Sequence, residues 1–133
     1  MKQKKKSIWL VPVAVTLVTL SLLKSVFLVG YVSTASMEPT IKRGSFVVGL
    51  RFCEELERGD IIVFRHDGKL LVKRIAAAGG ESVRWGESTL HIPKGSFYVL
   101  GDNVDDSHDS RYWVDPFVPR KYVEGKVIFC FWC

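Results

Sequence analysis

One lysine lies inside an apolar run and is the first residue that could do chemistry. Leu71, Lys73 and Ile75 share one face of a predicted strand, because side chains alternate along a strand. An ammonium group among aliphatic neighbours is costly unless it is paired, so burial would lower its pKa and leave a neutral amine. A neutral amine is a general base. The alternative is that Leu71 and Ile75 face outward, which would make Lys73 an ordinary solvated side chain.

Ser36 is the hydroxyl that such a base would activate. It lies in the polar stretch 34–40, directly after a long apolar segment. Alone it is a loop serine, but beside a desolvated lysine it becomes a candidate nucleophile, since the base removes its proton during attack. A triad of Ser36, His108 and Asp109 is the competing arrangement, because such triads are defined by geometry and not by sequence order.

The N-terminal segment that must position Ser36 is basic and then apolar. Residues 1–24 contain five lysines and no acidic residue, whereas the rest of the chain has 14 basic and 14 acidic residues. This placement argues against a nucleic-acid binder, whose basic excess should lie on the folded domain. As one helix, residues 8–32 would be about 37 Å long, which exceeds the roughly 30 Å hydrocarbon core of a bilayer.

These features predict three regions, with the lysines cytoplasmic by the positive-inside rule. They are a cytoplasmic basic tail at 1–7, a transmembrane anchor at 8–32 and an extracytoplasmic domain at 33–133. The alternative is a cleaved signal peptide, since Ser33, Thr34 and Ala35 are small residues typical of a processing site. Against it, the apolar stretch is longer than the usual span of about 7–15 residues.

The domain is predicted to be all-β. Short runs rich in β-branched and aromatic residues are bounded by Gly, Pro or Asp, as strands are. These runs are 45–50, 60–65, 69–75, 82–85, 89–92, 96–100 and 125–131. The expected fold is a curled antiparallel β-barrel or two-sheet domain preceded by one N-terminal transmembrane helix.

Three cysteines lie in this domain, in a compartment where a disulfide could persist. Cys130 and Cys133 fall at the end of a predicted strand, where side chains three apart point to opposite faces. A bond between them requires a bend in the chain. We therefore expect buried thiols or one bridge to Cys53, and no metal site, because zinc needs about four ligands and no second paired spacing exists.

Four segments, in order, resemble the motifs of bacterial type I signal peptidases (leader peptidases). The segment 36–40, Ser-Met-Glu-Pro-Thr, resembles their nucleophile motif, and 58–64, Arg-Gly-Asp-Ile-Ile-Val-Phe, their next strand. Lys-Arg at 73–74, followed by Gly-Glu at 80–81, resembles the general-base segment. Gly-Asp-Asn at 101–103, then Ser107 and Asp-Ser-Arg at 109–111, is similar to the final motif. The resemblance covers most of residues 33–111.

The resemblance implies a serine–lysine dyad protease. Ser36 would be the nucleophile and Lys73 the general base, with the Ser36 backbone N–H and the Thr34 hydroxyl holding the oxyanion. Ser107 matches the residue that orients the lysine amine, and two supporting ion pairs join Asp102 with Arg74 and Asp109 with Arg111. The positions that match pockets for small substrate residues at −1 and −3 are Val32, Met37, Ile41, Leu71 and Val72.

Some positions depart from the family pattern. Ala35 replaces a commoner Gly or polar residue, Glu81 stands where Asp is usual, Ile41 replaces Leu, and His108 lies inside the final loop. The segment between Lys73 and Gly101 is also short, where many relatives carry an inserted subdomain. This puts the breadth of substrates in question, but not the dyad.

The implied activity is removal of signal peptides from exported preproteins at the outer side of the cytoplasmic membrane, by a single-pass protein with a cytoplasmic N-terminus. No metal or organic cofactor is expected; the partners are preprotein signal peptides and the lipid bilayer, with no nucleic acid. One alternative is a dedicated protease of the same fold that matures a single partner, such as a conjugative pilin. The other is a tethered partner subunit with a dead site. The oligomeric state and self-cleavage near Ala35 stay open.

Overall fold

The computed structural model describes residues 4–133. Residues 1–3 of the predicted basic tail, and the side chains of residues 4–7, lie outside that description. Helix α1 (Lys4–Val26) is followed by nine strands. They are β1 (Phe27–Tyr31), β2 (Phe46–Leu50), β3 (Ile61–His66), β4 (Lys69–Ala78), β5 (Ser82–Trp85), β6 (Ser88–His91), β7 (Ser96–Leu100), β8 (Phe117–Pro119) and β9 (Val123–Phe131).

The strands form two antiparallel sheets. Seven strands pair in the order β1-β2-β9-β3-β4-β7-β8, and β5 with β6 forms a separate two-stranded hairpin. Each neighbouring pair is antiparallel, and two of the pairs, β3 with β4 and β5 with β6, are hairpins with short connections. The prediction of an all-β antiparallel domain preceded by one helix is confirmed. The seven predicted runs all fall on strands, and β1 and β8 are the strands that the sequence patterns missed.

The helix is shorter than predicted. Residues 8–32 were expected to form one helix, but α1 ends at Val26, and Phe27–Tyr31 pair with β2, with Tyr31 opposite Phe46. An apolar run does not distinguish a helix from a strand by hydrophobicity alone, and here pairing with β2 decides. Within α1, Ile8–Val26 is long and apolar enough to cross a membrane, and none of it is buried against the domain.

Three clusters of buried apolar side chains hold the domain together. The largest packs Phe64 of β3 and Ile75 of β4 against Trp113. A second cluster is formed by Val32, Met37 and Ile41, which follow β1, together with Val47 of β2. The third lies beside the hairpin and contains Ala77, Ile92 and Tyr98. The second cluster supports the turn that carries Ser36.

The cysteine prediction was wrong. Cys130 and Cys133 form a disulfide, and Cys53 is the free thiol among the described residues. β9 ends at Phe131, and Trp132 has a positive φ of 61°, so the chain turns just before its last residue. This turn supplies the bend that a bond between the two cysteines requires, and it places their Cα atoms 6.0 Å apart.

Candidate active site

Ser36 and Lys73 meet in the structure. The Nζ atom of Lys73 lies 2.6 Å from the Oγ atom of Ser36, which is hydrogen-bond distance. Only 4% of Lys73 and 6% of Ser36 is exposed to solvent. Along β4 the buried residues alternate, so Lys73 and Ile75 point to the same interior side. Of the two orientations that the alternation left open for Lys73, the structure shows the inward one, and the solvated alternative is wrong.

The environment of Lys73 favours the neutral amine. Burial lowers the pKa of Lys73 from its ordinary value, while the charges of Asp109 and Asp106 act in the opposite direction. The carboxylate of Asp109 is itself neutralised by the guanidinium of Arg111, whose Nε and Nη2 donate to its two oxygens at 2.8 and 2.7 Å. The desolvation cost is thus the larger effect on the lysine. In its neutral form, Lys73 would present a lone pair to the serine hydroxyl.

Ser36 lies in a turn after β1, with a second hydroxyl beside it. The Oγ1 atom of Thr34 lies 3.2 Å from the Oγ atom of Ser36. The turn is closed by backbone bonds, with the N–H of Glu38 donating to the carbonyl of Ala35 and that of Ile41 to the carbonyl of Met37. The turn therefore fixes Ser36 beside Thr34, with the two hydroxyl groups next to each other.

The loop after β7 packs directly against this turn. Gly101 has no side chain at a point where an added Cβ would lie 2.5 Å from the Ser36 carbonyl oxygen, and closer still to the Ser107 hydroxyl. The Gly101 N–H donates 2.8 Å to Asp109, and the Ser107 hydroxyl donates 2.6 Å to the same carboxylate oxygen. These bonds and those of Arg111 hold the pKa of Asp109 below its usual value, although burial raises it. The hydrogen bond of Ser107 thus goes to Asp109 and not to Lys73.

A second ion pair braces the other side of the loop. The Nε and Nη2 atoms of Arg74 donate to the two oxygens of Asp102 at 2.8 and 2.6 Å, a bidentate arrangement. The Nη1 atom of Arg74 also donates 2.7 Å to the Gly59 carbonyl. The Arg74 bond is the largest influence on Asp102 and lowers its pKa. Because Arg74 follows Lys73 on β4, this pair joins β4 to the loop after β7.

Asn103 makes contacts that the sequence analysis missed. Its side-chain Nδ2 donates 3.0 Å to the Ala35 carbonyl, and its backbone N–H donates 3.0 Å to the Ser36 carbonyl. Asn103 lies in the segment 101–103 that resembles a family motif, but nothing in its spacing indicates which backbone groups it binds. Asn103 thus connects the loop after β7 to the backbone of both Ala35 and Ser36.

A pocket of about 330 Å³ opens beside Ser36, between the turn after β1 and the first half of β4. Four of the residues predicted to bind substrate line it: Val32, Met37, Leu71 and Val72. The fifth, Ile41, is buried behind the wall, in the cluster with Val32 and Met37. The pocket ends at the Ser36–Lys73 pair, so a chain lying in it would reach both reactive groups.

The Ser-His-Asp arrangement does not form. His108 is exposed, and its Nδ1 accepts a hydrogen bond of 3.1 Å from the Trp113 indole. Within residues 4–133, the side-chain partners of Ser36 are Thr34 and Lys73. The same residues contain no group of three His, Cys, Asp or Glu side chains placed to hold a metal ion. The arrangement suits nucleophilic attack by a serine whose proton passes to an amine.

Comparison with known proteins gives one family. The sequence profile described as "Signal peptidase, peptidase S26" matches residues 5–92 and 85–132. The signal peptidase IB of Staphylococcus aureus (strain COL) is 29% identical over 172 aligned positions, which cover 93% of this chain and 88% of that protein. The signal peptidase I of Pseudomonas aeruginosa is 24% identical over 159 positions, covering 67% of this chain and 56% of that protein.

A shorter alignment has a higher sequence identity than these two. The signal peptidase I of Buchnera aphidicola subsp. Baizongia pistaciae is 54% identical over 43 residues, which are 32% of this chain and 13% of that protein. The chain thus spans about half the length of the Pseudomonas relative, and less of the Buchnera one. The Staphylococcus alignment has more positions than the 133 residues of this chain, so that relative contains residues without a counterpart here.

Proposed function

The chain belongs to the signal peptidase family, peptidase S26, and on that premise we propose that it is a membrane-anchored serine endopeptidase that removes N-terminal signal peptides from exported preproteins. Cleavage would follow small residues at −1 and −3 of the substrate. The observation that carries this proposal is the distance of 2.6 Å between the Ser36 hydroxyl and the buried Lys73 amine. An amine that burial keeps neutral is the base that a serine nucleophile needs.

The proposed reaction begins with proton transfer within this pair. The Ser36 hydroxyl gives its proton to the Lys73 lone pair as its oxygen attacks the scissile carbonyl carbon. The tetrahedral oxyanion is held by the Ser36 backbone N–H and the Thr34 hydroxyl, whose Oγ1 lies 3.2 Å from the attacking oxygen. The C–N bond then breaks as the Lys73 ammonium gives its proton to the leaving amine. Water, deprotonated by the same amine, hydrolyses the acyl-enzyme and restores Ser36.

The pocket explains the proposed choice of small residues. Its walls are the aliphatic side chains of Val32, Leu71 and Val72 together with Met37, and Ile41 fills the space behind them. A volume of about 330 Å³ shared by several substrate residues leaves little room for each. Alanine side chains at −1 and −3 suit such walls, whereas a charged side chain would lose its hydration there.

The helix is proposed to anchor the protein in the cytoplasmic membrane. Ile8–Val26 would cross the bilayer once, with the N-terminal lysines in the cytoplasm and the β domain on the outer side. Since the domain begins with β1, the anchor proposed here ends at Val26, and Lys24 lies near its outer end. Substrates carry an apolar segment in the same bilayer, so tethering both partners raises their effective concentration.

Cleavage of a preprotein by the purified full chain in detergent tests the proposal. The wild type should cut a preprotein with an Ala-x-Ala site, and the new N-terminus should start directly after the −1 alanine. Ser36→Ala and Lys73→Ala should each lower kcat/KM by about 10³-fold or more, because residues that act as a unit each cost nearly the whole rate. Lys94→Ala, at an exposed lysine in another part of the domain, is the matched control.

Two results would overturn the proposal. The first is wild-type-like cleavage by Lys73→Ala, shown by circular dichroism to be folded. The second is that the folded wild type cleaves none of a panel of unrelated preproteins. If one member of the panel is cut and the rest are ignored, the activity is that of a dedicated maturation protease.

A further inference from the structure

The pocket beside Ser36 extends from the Ser36–Lys73 pair to a second lysine. Lys69 begins β4 and lines the same pocket as Lys73, which lies four residues further along the strand. Leu71 stands between them on the same face, because every second residue of a strand shares a side. The exposure falls along this row, with Lys69 exposed, Leu71 half-buried and Lys73 buried. Lys69 thus marks the outer end of the pocket.

The charge of Lys69 is not neutralised by a neighbouring side chain. None of the ion pairs within residues 4–133 includes it. The nearest acidic residue along the chain is Asp67, whose Oδ2 lies 3.5 Å from the His66 Nε2 atom. Other cations of the sheet are paired, as Lys126 is with Asp60 at 2.8 Å. The outer end of the pocket therefore presents a positive charge to whatever chain lies in it.

The distance between the two lysines sets which substrate residue would meet this charge. Four residues of a strand advance about 13 Å, at roughly 3.3 Å each. A substrate extended along β4 in the same direction, with its −1 residue beside Lys73, has the same rise, so the residue four positions before −1 lies level with Lys69. Its side chain also shares a face with those at −1 and −3, because the alternation has a period of two.

We propose that Lys69 selects an acidic side chain at position −5 of the substrate. This inference rests on the proposed function, in which the −1 and −3 side chains fill the pocket next to Ser36. The ion pair forms between the Lys69 ammonium and a Glu or Asp carboxylate at the pocket mouth. Because the pair is exposed, its effect is a modest preference and not a strict requirement.

A charge reversal on both partners tests the proposal. Three peptides share one Ala-x-Ala site and carry Glu, Gln or Lys at −5, and kcat/KM is measured for the full chain in uncharged detergent. The wild type should cleave the Glu peptide about fivefold better than the Lys peptide. Lys69→Glu should reverse that order, and Lys69→Gln should make the two rates similar. The wild-type preference should shrink in 1 M salt, where the Debye length is about 3 Å.

Two controls separate this contact from general electrostatics. Lys94→Glu makes the same change of charge at an exposed site that does not line this pocket, and should keep the wild-type order. A second peptide set with the charged residue at +5 should show no dependence on Lys69. Circular dichroism of each variant shows that it is folded.

The outcomes that overturn the proposal are distinct. An unchanged Glu-to-Lys ratio in Lys69→Glu removes the −5 contact while leaving the protease intact. The same rates are also measured on vesicles containing anionic lipid. A loss in Lys69→Glu that is the same for all three peptides, and that appears only on these vesicles, assigns the lysine to lipid headgroups and overturns the −5 contact. If the wild type cleaves none of the peptides, the proposed function fails, and this inference fails with it.

Discussion

The backbone N–H of Asn103 donates a hydrogen bond of 3.0 Å to the carbonyl of Ser36, so the loop after β7 is joined directly to the proposed nucleophile. The Asn103 side chain adds a second bond, to the Ala35 carbonyl. Ser36 is thus held from two sides, by the turn that contains it and by a loop more than 60 residues away in sequence. Positioning of this kind matters because attack requires the oxygen to meet the carbonyl carbon in a narrow geometry.

Removing the Asn103 amide tests this positioning. We expect Asn103→Ala to lower kcat about tenfold with little change in KM, because the backbone bond to Ser36 survives while the bond to Ala35 is lost. Steady-state kinetics on a peptide with an Ala-x-Ala site measures both constants. Asp105→Ala, at an exposed residue of the same loop, is the control. A rise in KM at unchanged kcat would show that Asn103 acts on substrate binding instead.

Gly101 has to stay without a side chain for the two loops to approach. In Gly101→Ala the new methyl group would meet the Ser36 carbonyl and the Ser107 side chain, so one of them must move. We expect a loss of kcat/KM of about 100-fold and a destabilisation of about 1–3 kcal/mol. Thermal unfolding and peptide cleavage measure the two effects.

The matched control for Gly101 is Gly30→Ala in β1, where an added Cβ would lie 3.4 Å from a Val47 methyl group. That variant should stay close to the wild type in both measurements. If Gly101→Ala has wild-type kinetics and stability, the loop accommodates the methyl group. The close approach of Gly101 to Ser36 would then contribute to neither activity nor stability.

The Thr34 hydroxyl is expected to act on the transition state. Thr34→Val keeps the shape of the side chain but removes the donor near Ser36 Oγ, and we expect kcat to fall by about 10²-fold, as for loss of one oxyanion donor. Thr34→Ser should recover most of the rate, because it restores the hydroxyl. Equal rates for the valine and serine variants would show that backbone N–H groups, and not the Thr34 hydroxyl, stabilise the oxyanion.

The sequence predicted which residues share a face with Lys73, but not that this face is interior. Alternation along residues 71–75 is a local property, and it grouped Leu71, Lys73 and Ile75 correctly without deciding whether they point inward or outward. The 2.6 Å contact with Ser36 depends on how β4 lies against the turn after β1, which no local pattern encodes. The sequence offered Ser36 as a nucleophile on the condition that a desolvated lysine lay beside it. The resemblance to signal peptidases assigned that pair, together with Arg74–Asp102 and Asp109–Arg111.

The errors also have physical causes. Residues 27–31 are apolar enough to continue the helix, and it is their pairing with β2 that makes them a strand. The disulfide was missed because the turn depends on the conformation of Trp132, a residue type that seldom adopts a positive φ. The contacts of Asn103 were missed because they join segments distant in the sequence.

The central claim is that Lys73 works as a neutral amine, and the pH dependence of kcat/KM tests it most directly. Burial lowers the pKa of Lys73, so the amine loses its proton at a pH below that of a free lysine, and activity should rise as pH increases through this lowered pKa. With a substrate that has no titrating group near the cleavage site, we predict an ascending limb well below the free-lysine pKa of about 10.4. An ascending limb near pH 10 would mean that the amine is charged at neutral pH, and would contradict the account.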